Sequence, residues 1–129
     1  VQMLSLKGSE GKGGVEVSLL SLSRREDKAY LRFSVLNRSE TPYRVLKTSV
    51  GVLDYERKFF IKRESGSVDF PSELVLYPLI RQDTRVFGVV VFDYRLLGKS
   101  QKSIFRIYED TPVAGSGRDI EIKGFRWFK

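Results

Sequence analysis

AYLRFSVLNRSETPYRVLKTSVGV, residues 29–52, decides the fold. Leu31, Phe33 and Val35 alternate with Arg32 and Ser34, so one face is apolar and the other faces water. Asn37, Arg38, Ser39, Glu40, Thr41 and Pro42 then interrupt the run with turn formers. The chain returns from Tyr43 with Val45, Val50 and Val52 as its apolar positions. Two β-strands joined by a short polar loop are the simplest reading.

Strand signals extend to both sides. Residues 15–22 alternate Val15, Val17 and Leu19, and a charged loop over 23–28 leads into the central pair. Residues 7–14, rich in glycine and charge, read as flexible, and residues 1–6 as an edge strand or tail. Asp54, Tyr55 and Glu56 predict a tight turn over 53–57. Residues 59–62 then predict a strand with Phe59 and Ile61 on one face and Phe60 on the other, and 63–72 a loop. A strand over 73–79 ends at Pro78. RVFGVVVFDY, residues 85–94, is apolar on both faces and β-branched, which predicts a central strand. After a turn over 97–102, a strand over 103–108 precedes a loop over 109–117. The last strand spans 118–128, with a bulge at Gly124.

Eight or nine short strands at spacings of about 8–12 residues predict an antiparallel, immunoglobulin-like β-sandwich of about 8 strands, with a β-barrel as the alternative. At 129 residues the chain is one domain, 1–129, with enough length for one core. Its 41% hydrophobic and 30% charged residues exclude a disordered chain. No apolar run approaches a membrane-spanning length. A first residue of Val1 fits a domain trimmed from a longer chain or one that has lost a leader.

The chemistry is bounded by what is missing. With no Cys and no His, disulfides, common zinc sites, thiol chemistry and His-based acid–base catalysis are excluded. Ser34 and Ser103, in strands with no activating base motif, are not nucleophiles. Gly115 and Gly117 lack the strand–loop–helix and Gly-Lys-Ser/Thr of a phosphate loop. Glu109, Asp110, Asp119 and Glu121 match no calcium loop and read as loop and edge charge. Neither catalytic residues, metal nor cofactor are expected, and the chain is read as a non-enzyme. One Asn and three Gln against abundant charge suggest a thermophilic source.

A net charge of +7 favours acidic partners, including nucleic acid. Residues 58–63 (KFFIKR) and 123–129 (KGFRWFK) interleave cations with aromatics. Nucleic-acid binding needs those rings exposed, whereas a plain strand buries the rings and exposes the cations. Phe60, Arg126 and Trp127 are the positions that separate the two. Arg118, after the glycine loop, is a fourth candidate contact. Tyr55 and Trp127 are the natural rings for a sugar-binding groove.

The string from Leu31 to Val45 resembles bacterial extracytoplasmic immunoglobulin-like domains, and most nearly the C-terminal domain of the outer-membrane channel subunit of conjugative type IV secretion. The likeness rests on Asn37-Arg38-Ser39 with Pro42-Tyr43, on Tyr108-Glu109, and on Gly117-Arg118, across residues 31–122. The chain departs from that pattern after Pro78, where no glycine follows. The resemblance implies no catalytic residues. It implies an assembly part of the bacterial cell envelope or periplasm that docks on a protein partner. The strand count and the absence of catalytic chemistry point to surface docking or strand addition, with the N-terminal strand and residues 120–128 as the candidate open edges. A nucleic-acid-binding β-domain is the alternative. The pattern fixes no oligomeric state.

Overall fold

The computed structural model describes residues 2–113 and 115–129. Val1 and Ala114, which fall in the expected edge segment 1–6 and loop 109–117, lie outside the described residues. The strands are β1 (Gln2–Ser5), β2 (Ser9–Lys12), β3 (Val15–Arg25), β4 (Lys28–Asn37), β5 (Tyr43–Lys58), β6 (Ile61–Asp69), β7 (Ser72–Val75), β8 (Leu79–Ile80), β9 (Thr84–Asp93), β10 (Gln101–Glu109) and β11 (Ile120–Lys123). Among the described residues there is no helix.

One sheet runs β1-β3-β4-β9-β7, with β2 also on β3. The other runs β11-β10-β5-β6, with β8 also on β5. All pairings are antiparallel. The sheets pack face to face as an immunoglobulin-like sandwich and do not close into a barrel.

The alternation read from the sequence builds the core. Leu31, Phe33 and Val35 on β4 face Val50, Val52, Phe105 and Ile107 of the opposite sheet, all buried. The Phe33 and Phe105 rings meet at 4.9 Å, tilted by 47°. At one end Phe70, Phe92, Phe125 and Trp127 form an aromatic cluster. β9 lies between β4 and β7, central as its sequence implied.

Several expectations are corrected. The glycine-rich stretch 7–14 is not a free loop. β2 pairs with β3 across Gly13 and Gly14, both at positive φ (57° and 82°), the backbone that a two-residue hairpin turn demands. The strand expected over 73–79 is two short strands, β7 and β8, in different sheets. The last strand is only four residues long. At Gly124 φ turns positive (68°) and the chain leaves the sheet, carrying Phe125, Trp127 and Phe128 into the core.

The largest correction concerns residues 53–72. The expected turn over 53–57 is strand, since β5 continues to Lys58. The expected strand over 59–62 contains the turn. The expected loop over 63–72 is mostly β6. Asp54 does not turn the chain. Its carboxylate accepts a 2.8 Å hydrogen bond from Gln101 Nε2, and the β5–β6 register shifts at the next residue. A bulge absorbs the polar run that suggested a turn.

Gly51 permits the close approach of the end of β6. A Cβ there would collide with the Val68 carbonyl and lie 2.9 Å from Asp69 Cα. Gly51→Ala is expected to cost about 1–3 kcal/mol, at the upper end because the obstruction is backbone. The urea midpoint should fall accordingly, and an unchanged midpoint would contradict this packing.

Candidate interaction site

β5 is held on both sides as far as Asp54, which pairs with Gln101 of β10 and with Gly66 of β6. A last hydrogen bond, Tyr55 N–H to Ser100 O at 2.9 Å, ends the contact with β10. From Glu56 to Arg63 only the β5–β6 pairing remains, and a two-stranded arm projects from the sandwich. Its rungs are Glu56 with Arg63, Arg57 with Lys62, and Lys58 with Ile61. At about 3.4 Å per residue the arm extends about 10 Å before its turn.

The turn is Phe59-Phe60. Both residues have positive φ, 50° and 68°, in a loop geometry where Asn-Gly is favoured. For a bulky side chain this is an outlier, and backbone of this kind concentrates at ligand clamps and binding elements. The rings are not folded back on the arm: Phe59 is 91% exposed and Phe60 97%. Ile61, beside them, is 65% exposed. Arg57, Lys58, Lys62 and Arg63 surround this apolar tip with no acid among them. Arg57 and Lys62 stand directly opposite each other, a like-charge pair that weakens a hairpin. Behind them, Lys62 and Lys102 lie over the Tyr55 ring at 5.3 and 5.2 Å.

The four residues singled out in the sequence are not brought together. Phe60 is at the arm tip. Arg126 is exposed in the C-terminal segment. Trp127 is only 9% exposed, stacks on Phe92 at 5.6 Å and donates from Nε1 to the Arg95 carbonyl at 2.8 Å. It is a core residue and presents no ring to a partner. The basic–aromatic string 123–129 therefore follows the plain structural pattern, and 58–63 does not.

Arg118 is committed internally. It chelates Glu109, with Nη2 to Oε2 at 2.7 Å and Nε to Oε1 at 3.0 Å. Nη1 donates to Ser39 Oγ at 2.7 Å and to Gly13 O at 3.3 Å, and Nη2 also donates to Pro42 O at 3.2 Å. The Arg118 backbone N–H donates to Glu109 Oε1 and Asp119 accepts from the Glu109 N–H, so β10 and the segment before β11 are tied twice. The hydrogen bonds to Arg118 hold the Glu109 carboxyl below the usual glutamate range and raise the guanidinium above its ordinary value. The Tyr43 hydroxyl donates to Arg118 O at 3.0 Å. Burial foremost, then the charges of Glu109 and Asp119, push its pKa up, so the phenol stays a donor.

Asn37 completes this clasp. Fully buried, it donates to the carbonyls of Thr41 and Ile80, both at 2.9 Å, and accepts from Ser39 N–H at 2.9 Å. The Asn-Arg-Ser turn and the Gly-Arg element of the sequence are thus two halves of one structural knot. No cluster of acidic residues able to hold a metal occurs among the described residues.

The sequence singled out Phe60 and the string 58–63 as candidate contacts but read them as strand, because aromatic residues favour strands and hide a turn. The available cue was the loss of apolar alternation from Asp54 to Lys58, which marks strand with no core beneath it.

Compared with known protein families and with curated proteins, the chain matches none.

Proposed function

We propose that this chain is a non-catalytic interaction and assembly module of the bacterial cell envelope, whose docking element is the β5–β6 arm. The observation that carries the reading is the arm tip, Phe59-Phe60. Two bulky residues sit in left-handed backbone and expose both rings, at a position where Asn-Gly would be more stable. A surface that keeps such a cost without any contact inside the domain has its contact elsewhere. Exposed aromatics beside arginine are also the residues that carry binding energy at interfaces. The resemblance of the Asn37–Tyr43 and Gly117–Arg118 elements to envelope assembly domains supports the same reading.

The test is capture by the tagged chain from a nuclease-treated envelope fraction. The wild type retains specific envelope components, and F59N/F60G loses them. Equal capture by both would refute the arm as the docking element.

A second reading has its own observation. Arg57, Lys58, Lys62 and Arg63 flank exposed rings, as in proteins that stack bases beside phosphate-binding cations. It predicts binding of single-stranded DNA or RNA that falls steeply with salt. No binding at low salt would remove it.

A further inference from the structure

From the order of side chains along the arm, we infer that its tip inserts into the head-group layer of an anionic lipid surface. This rests on reading the arm as the docking element, and names the chemistry of what it meets. The apolar side chains of Phe59, Phe60 and Ile61 occupy the apex. Lys58 follows immediately, opposite Ile61, and then Arg57 opposite Lys62. The first acid, Glu56, stands in the third rung opposite Arg63 and is paired with it at 3.6 Å, and Glu64, one rung farther back, is paired with Lys123 at 3.6 Å.

That layering matches the profile of a bilayer surface. Aromatic rings settle at the boundary between head groups and acyl chains, about 5–10 Å deep for a surface-bound element. Lys58, Arg57 and Lys62, one or two rungs back from the rings, then lie level with lipid phosphates, each attracted by the anionic surface. Glu56 is three residues behind Phe59, about 10 Å at strand rise, and with Arg63 opposite it forms a charge-paired rung outside the phosphate layer. In a nucleic-acid groove the same glutamates would face phosphates along the sides of the arm. No helix among the described residues is long and apolar enough to cross a membrane.

Co-sedimentation of the whole chain with vesicles tests this. One set is phosphatidylcholine alone and the other contains phosphatidylglycerol. Binding should be at least about tenfold tighter to the anionic vesicles and weaken as salt is raised. F59N/F60G should lower anionic-vesicle binding by about tenfold or more, while R126Q, an exposed cation away from the arm, should leave it unchanged. F60W provides a readout independent of affinity, since its fluorescence should shift to the blue on anionic vesicles. Absence of vesicle binding, binding indifferent to F59N/F60G, or no spectral shift of F60W would each overturn the insertion. Arm-dependent binding to single-stranded DNA with no vesicle binding would assign the tip to nucleic acid instead. If vesicles fail but F59N/F60G still abolishes capture from the envelope fraction, the docking arm stands and its lipid occupant falls. If neither assay depends on the arm, both fall.

Discussion

Arg118→Ala should cost the domain about 3–5 kcal/mol, the expected penalty for removing one partner of a buried ion pair. Arg118 and Glu109 keep only 17% and 10% of their side chains exposed. The loss goes beyond one pair, because the guanidinium also donates to Ser39, Gly13 and Pro42, joining the β2–β3 turn and the 38–42 loop to β10. Alanine leaves the Glu109 carboxylate with the backbone N–H of residue 118 but without its counter-ion. The urea midpoint should fall strongly, and a change within experimental error would refute the clasp.

The same pair sets a pH dependence. The folded Glu109 pKa lies below its unfolded value, so its contribution is fully present above the ordinary glutamate range. That contribution is lost as pH falls through the folded value. Wild-type stability should therefore drop on acidification below about pH 4.5, and R118A should show a shallower drop because its Glu109 has less to lose. Parallel acid profiles would contradict the assignment.

F59N/F60G should do two opposite things: stabilise the free domain and abolish docking. Positive φ at bulky residues costs on the order of 1–3 kcal/mol each, and Asn-Gly adopts the same turn readily. Both rings are exposed, so removing them leaves no cavity. A gain of about 1–2 kcal/mol is expected, discounted for the rotation an exposed arm can use to relieve strain. A destabilised variant would mean that the rings pack on the domain, contrary to their exposure.

The sandwich was legible because its central strands bury one face. Leu31, Phe33 and Val35 had to alternate, and the 85–94 run had to be central. Gly124 was legible as an interruption but not as the end of the sheet, because the alternation of Ile120 and Ile122 resumes one residue out of step at Phe125 and Trp127, as a bulge in a continuing strand would give. The Gly13-Gly14 turn was written in the sequence as a hairpin signal, obscured by surrounding glycines and charge. The arm was illegible for a different reason. Phe59-Phe60 contradicts turn chemistry, and local rules fail where residues answer to something outside the fold. Arg118 was singled out by its place after the loop as a candidate contact, but its guanidinium is committed inside the domain. Its partners, Glu109, Ser39, Gly13 and Pro42, come from segments that only the tertiary fold brings together.

The measurement closest to the central claim is paired capture from the nuclease-treated envelope fraction with wild-type chain and F59N/F60G, after confirming that the variant is at least as stable. The wild type should show specific retention, and a well-folded F59N/F60G should lose that retention. Undiminished retention by F59N/F60G would show that the domain docks through some other surface.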